Sequence, residues 1–222
     1  MNKVKYLREM LRGKDTYRIL MNALCEDHTL QGDVLDIGSG VNLASYHRFF
    51  KKEPRARIMS LDLMINMIGK NEMKKINLEY DPLPTSDNSV DIALSFNFFE
   101  HIYNHTWVMK ETNRVLKPGG TLIGAVPFLV GYHADPHDFW RYTHETLQKR
   151  FQESGFNNIK ITSIGRGPFT AAFFQIEFVL PNILKLIAIP LTVFLDMIII
   201  KIKPNIPEEK FALGLFFVAQ RK

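Results

Sequence analysis

His133, Asp135, His137, Asp138, Trp140 and Arg141 follow one another between Tyr132 and Tyr142. An imidazole titrates near neutral pH, so it suits the removal of a proton from a hydroxyl. His133 or His137 is therefore a candidate general base, with Tyr132, Trp140 and Arg141 lining an acceptor pocket. The same residues also permit a structural knot, in which Asp138 pairs with Arg141, Trp140 packs and Thr143 caps the next helix. For Asp138 and Arg141 the knot is the better reading; for the histidines both readings stand. His133 and His137 are four apart, a spacing that could grip a metal from one helix face, but Pro136 opposes a regular helix there. No metal ligand set is assigned.

A second group lies near the start. The apolar run Asp33-Val34-Leu35-Asp36-Ile37 ends in Gly38-Ser39-Gly40. Glycine allows a sharp turn and close approach of a ligand to the backbone, and the helix start that follows favours an anion. A dinucleotide fingerprint would require glycine at position 43, where Leu43 stands, which counts against a nicotinamide enzyme. Asp62 follows Gly40 by 22 residues, a spacing at which a carboxylate can accept hydrogen bonds from ribose hydroxyls.

These groups need a frame. Residues 33–37, 57–61, 90–95 and 121–126 read as strands, the last launched by the turn Lys117-Pro118-Gly119-Gly120. Residues 158–164 and 211–219 read as two more, and 104–116 has helical spacing. Strands alternating with helices predict an α/β fold with a doubly wound, mostly parallel sheet. In such sheets ligands bind beyond the carboxyl ends of the strands, where Gly38, Asp62, Ser95 and Asn97 fall.

The run Asp36-Ile37-Gly38-Ser39-Gly40 resembles the first motif of class I S-adenosylmethionine-dependent methyltransferases, with Asn42 where that family usually has a further glycine. Asn77-Leu78-Glu79-Tyr80-Asp81-Pro82-Leu83-Pro84, Phe99-Glu100-His101-Ile102 and Arg114-Val115-Leu116-Lys117-Pro118-Gly119-Gly120 extend the likeness over residues 30–165. The resemblance implies a Rossmann-like, seven-stranded sheet of order 3-2-1-4-5-7-6 with a reversed last strand, and S-adenosylmethionine as cofactor. It implies cofactor contacts from Asp36, Gly38, Ser39, Gly40, Asp62, Leu63, Asn77, Leu78, Ser95 and Asn97. Asn77 would meet the adenine amino group, a role that a shifted alignment gives to Glu79. Glu100 and His101 would shape the pocket beside the sulfonium, with His101 at the acceptor side. The segment from Pro127 to Thr143 is similar to bacterial members associated with cell-surface polysaccharides, which points to O-methylation of a small-molecule, sugar or lipid-linked acceptor. An isoprenoid-quinone C- or O-methyltransferase and a non-catalytic S-adenosylmethionine-binding module remain as alternatives.

The 222 residues read as a single domain. Basic amphipathic helices span 1–28, the cofactor-binding core 29–165, an apolar insertion 166–208 and the last strand 209–222. The net charge is +5, and residues 1–24 carry six basic groups against Glu9 and Asp15. The rest is near neutral, and Ser95-Phe96-Asn97-Phe98 lacks the prolines of base amino-methyltransferases, so a nucleic-acid partner is not expected. The single cysteine, Cys25, and the charged N-terminus favour a cytoplasmic setting. Residues 169–203 are strongly apolar, yet Lys185, Pro190 and Asp196 interrupt them, so a transmembrane span is not expected. At 100° per residue, Asn182, Lys185, Thr192, Asp196 and Lys203 form a narrow polar stripe. Such a segment suits a lid, a homodimer face or, with the basic N-terminus, peripheral contact at the inner face of a membrane.

Overall fold

The computed structural model describes residues 3–39, 44–61, 77–165 and 167–222. Gly40, Asp62 and Leu63, three of the expected cofactor contacts, lie outside the described residues, as does Asn42.

The strands are β1 (Thr29–Leu30), β2 (Asp33–Ile37), β3 (Lys51–Lys52), β4 (Arg57–Leu61), β5 (Val90–Phe96), β6 (Leu116–Pro127), β7 (Phe156–Ile164) and β8 (Gly214–Arg221). The helices are α1 (Lys3–Leu11), α2 (Thr16–Cys25), α3 (His105–Val115), α4 (His144–Glu153), α5 (Pro168–Ile176) and α6 (Asn182–Ile202). β1 and β3 form a short parallel bridge; the six others form one sheet of order β4-β2-β5-β6-β8-β7. β4, β2, β5 and β6 are mutually parallel, and β8 runs antiparallel to both β6 and β7. This is the expected order with the reversed strand in place; its outermost strand has no counterpart among the described residues.

The central strands are buried on both faces, which is why β5 reads as a nearly unbroken apolar run. Alternate residues feed two cores. Leu35, Ala93 and Leu122 pack with Val108 and Met109 of α3 and with Leu147 and Phe151 of α4. Val34, Leu94 and Ile123 pack with Tyr17 and Met21 of α2 and with Tyr46, Phe49 and Phe50. A smaller outer cluster joins Met10 of α1, Ile19 of α2, Phe173 of α5 and Ile189 of α6.

Helix starts follow local chemistry. Asp15 caps α2 by accepting from Arg18 N at 2.6 Å, and Thr143 caps α4 by accepting from Thr146 N at 3.2 Å. α5 begins with Pro168 and takes its cap from a distant residue: Asp196 on α6 accepts from Phe169 N and Thr170 N, both at 2.9 Å. A Cβ on Gly167 would lie 2.1 Å from the Asp196 side chain, so only glycine admits that carboxylate.

The apolar insertion differs from its sequence reading in one respect. Pro190 does not break it: α6 runs unbroken for 21 residues, and is by length and composition sufficient to cross a membrane. Proline removes one ladder bond, while packing of α6 on α5 and α1 holds the axis through it. The two charges that counted against a span are buried against the protein, Lys185 at 6% and Asp196 at 5% exposure.

Candidate functional site

The carboxyl ends of β2, β4 and β5 come level, with Ile37 paired to Leu61 on one side and to Ser95 on the other. The chain turns at Gly38, whose φ is +79°. The Gly38 and Ser39 N–H groups both donate to Leu61 O, at 2.7 and 3.3 Å. A Cβ on Gly38 would lie 2.3 Å from the Phe98 ring. The turn is therefore pressed against the segment that carries Glu100.

Several expected cofactor contacts are occupied internally. Asp36 is fully buried; both its oxygens accept from Tyr46 Oη at 2.9 Å, and Oδ2 lies 2.5 Å from His47 Nε2. Burial raises the Asp36 pKa and the His47 contact opposes the rise. Asp36 thus pins the 45–48 turn to the end of β2, because a buried carboxylate needs such partners. Ser95 is also fully buried and its Oγ has no hydrogen-bond partner. Asn97, with a left-handed φ of 51°, accepts from Tyr17 Oη at 2.5 Å. Leu78 belongs to the core rather than to an open face. Asn77 is spent on its own turn: Oδ1 accepts from Glu79 N at 3.0 Å, and its N–H donates to Asp81 at 2.8 Å. Glu79 accepts from Tyr103 N at 2.9 Å, tying this turn to the chain just past His101.

The chemistry concentrates at Glu100. It lies in the short turn Phe99–His101 that follows β5, is 0% exposed, and neither carboxylate oxygen has a hydrogen-bond partner. His101 Nε2 and His133 Nε2 each stand 3.7 Å from Glu100 Oε1. Both rings are held by their other nitrogen. His101 Nδ1 lies 2.5 Å from the His137 carbonyl, and His133 Nδ1 lies 2.9 Å from the Gly131 carbonyl. A nitrogen facing a carbonyl carries the hydrogen, so neutral rings would aim two lone pairs at a carboxylate. A proton or a cation resolves that conflict. Accordingly Glu100, as the largest cause, raises the His133 pKa above 6.5. One ligand atom from each of Glu100, His101 and His133 lies within 4.8 Å of the others, so the cluster has the makings of a metal site.

The 130–141 loop is organised by Asp138 and Arg141, as the knot predicts. Arg141 donates to both Asp138 oxygens, at 2.5 and 2.8 Å, and to the Val130 and Gly131 carbonyls. Arg141 holds the Asp138 pKa down to about 2. Asp138 in turn accepts from His133 N at 2.9 Å and stands 3.6 Å from His133 Nδ1, so it positions that imidazole.

The structure separates the two candidate bases. His133 joins Glu100; the His137 ring is exposed against Phe139, and only its carbonyl enters the cluster. Trp140 donates to Ile102 O at 3.0 Å and packs edge-on against His105, a structural placement. Tyr132 is 82% exposed. Tyr132, Trp140 and Arg141 do line one open groove of about 460 Å³ with Phe128 and Asp138. The sequence reading placed Glu100 beside the sulfonium but not against His133, and it left out Asp138 as the residue that orients that ring.

Residues 35–124 match the methyltransferase domain family. The chain is 30% identical over 105 residues to malonyl-[acyl-carrier protein] O-methyltransferase 1 of Coxiella burnetii, covering 47% of this chain and 34% of that protein. It is 25% identical over 148 residues to arsenite methyltransferase of Halobacterium salinarum, covering 58% and 38%. The chain thus spans little more than a third of the length of these relatives. In fold it is similar to the putative methyltransferase solved in complex with the Haloferax volcanii Trm112 methyltransferase activator (TM-score 0.56, 17% identity, 97% and 96% covered). It is likewise similar to a SAM-dependent methyltransferase from Archaeoglobus fulgidus (TM-score 0.54, 16% identity, 96% and 97% covered).

Proposed function

We propose that this chain, whose residues 35–124 form a methyltransferase domain of the class I S-adenosylmethionine-dependent type, methylates a hydroxyl oxygen, with His133 as general base. The reading is carried by the buried Glu100 carboxylate 3.7 Å from His133 Nε2, on the sheet edge where the Gly38 turn abuts Phe98. The residues suit the cofactor. Gly38 and Ser39 form the turn that would run beside its methionine part, and an unpartnered buried carboxylate favours a nearby cation. When bound, S-adenosylmethionine supplies a methyl group already activated on a sulfonium. The protein's share is then alignment and proton removal. His133 is partly exposed, so an acceptor hydroxyl can reach it. A proton taken up on Nε2 lands opposite Glu100, which stabilises the imidazolium, while Asp138 and the Gly131 carbonyl hold the ring in place.

For the acceptor, a cavity of about 520 Å³ lies between α2, α6 and the end of β7, lined by Leu20, Leu24, Ile164, Val193, Met197 and Ile200 among others. It suits a hydrocarbon chain. Gly38, Glu100 and His133 are not part of its wall, which counts against a quinone whose ring would share an apolar pocket with the sulfonium.

The test has two stages. Calorimetric titration with S-adenosylmethionine and S-adenosylhomocysteine should give micromolar binding. Incubation of the labelled cofactor with glycolipid and sugar extracts should then place label on oxygen, as read by mass spectrometry. No binding to folded protein overturns the reading. Binding without transfer to any extract, in wild type and Glu100→Gln alike, would favour the non-catalytic binding module.

A further inference from the structure

α6 is built inside out. The middle of its polar stripe, anticipated from sequence, faces the protein, while Asn182 and Lys203 at its two ends are exposed. Asp196 caps α5, Lys185 is buried, and Thr192 is half-buried. Glu177 accepts from Thr16 N and Oγ1 at 2.8 and 2.6 Å, fastening the start of this unit to α2. The opposite side of α6 is open and apolar. From Ile183 to Ile198 every exposed residue is apolar, including Ile187, Leu191, Phe194, Met197 and Ile198. At 100° per residue these fall on one continuous face along a helix of about 30 Å. Such a face on a monomer marks a binding surface.

The surrounding charge says what covers it. α1 packs against α6. Among the described side chains, every exposed charge on these two helices and the residues just after them is basic: Lys5, Arg8, Arg12, Lys201 and Lys203. The one acid of α1, Glu9, is buried beneath Arg12 and Arg48 at 3.3 and 2.8 Å. A two-fold pairing of this face with itself would bring like charges together. A bilayer rich in anionic lipid offers hydrocarbon to the apolar face and negative charge to its basic flank.

We propose that the exposed face of α6 lies in the interface of an anionic membrane, flanked by the basic residues of α1, as a docking surface that does not span. Spanning would tear Asp196 from the α5 N-terminus and Lys185 from its burial, and both moor α6 to the domain. The cytoplasmic leaflet, which carries anionic lipid, is the surface of matching charge. The inference does not rest on methyl transfer, because lipid binding and turnover are read separately.

The test is flotation of the purified full chain with phosphatidylcholine vesicles, with and without about one-third phosphatidylglycerol. The expected result is binding to the anionic vesicles that weakens with salt. The double variant Ile187→Glu, Phe194→Glu should partition at least about tenfold less, with unchanged thermal melting and cofactor titration. Arg8→Gln, whose side chain has no acidic partner among the described residues, should bind about fivefold less. Failure of the wild type to float, or equal flotation of the double variant, overturns the proposal. So does a dimer in light scattering that the double variant dissolves while the wild type ignores vesicles. Resistance of the membrane-bound chain to alkaline carbonate extraction would show a span and overturn it as well.

Discussion

The Glu100 cluster and α6 depart from ordinary burial in opposite directions. At the sheet edge a carboxylate is sunk completely, without a hydrogen bond, facing two imidazoles. On α6 a row of large apolar side chains is left outside while Lys185 and Asp196 go in. Each arrangement costs folding free energy. In the first, the unmet need is for a proton or cation; in the second, it is for an apolar solvent. Both mark places where this molecule expects something that the chain itself does not supply.

The largest expected effect tests the first region. His133→Ala should lower turnover on the acceptor by about 10²–10⁴-fold while leaving cofactor titration unchanged; a small loss would return the loop to a purely structural role. Glu100→Gln should also move the pH profile. Glu100 raises the His133 pKa above 6.5, and a base works unprotonated, so wild-type turnover should rise with pH through that raised value. In the variant the inflection should slip acidward. The stability linkage runs the other way: the pair supports the fold fully below about 6.5 and loses that support as pH rises through the raised value. If a chelator abolishes turnover and a divalent ion restores it, the cluster is a metal site and His133 is a ligand rather than a base.

Smaller effects concern stability. Gly38→Ala should cost about 2–4 kcal/mol in denaturant titration, from left-handed backbone and collision with Phe98. On α6 the usual logic should invert. Asp196→Ala, an inward polar change, should cost about 1 kcal/mol as a lost cap, whereas Phe194→Glu, an outward apolar change, should leave the melting temperature nearly still. The reverse pattern would mean that α6 packs with its apolar face inward. The last effect is a slope. Burial lowers the His105 pKa to about 4, and its Nδ1 has no partner. The unfolded chain therefore takes up that proton first as pH falls below about 6.5, and stability should decline from there towards about 4. His105→Phe should flatten the slope.

Much of the frame was legible in the residues alone. The runs at 33–37, 57–61, 90–95 and 121–126 became strands because apolar segments covered on both faces have few alternatives. Gly38 was readable because a turn at the end of β2 needs left-handed backbone. The cofactor contacts were less legible. Asp36, Ser95 and Leu78 have the expected types at the expected places, yet their side chains point into the core or into internal partners, which spacing does not disclose.

By itself the sequence determined the alternation of elements, the methyltransferase-like motif order, the polar stripe of α6 and the candidacy of His133 and His137. Those properties are local: they depend on residue type and on the period of helix or strand. Only the tertiary structure decided that His133 meets Glu100 while His137 does not, that Asp138 orients the ring, and that the middle of the α6 stripe, Lys185 to Asp196, faces inward. The first and last depend on contacts between residues tens of positions apart, and the second on a loop fold that brings Asp138 back to His133 five residues earlier. A periodic pattern states which residues share a face, but only packing states what that face meets.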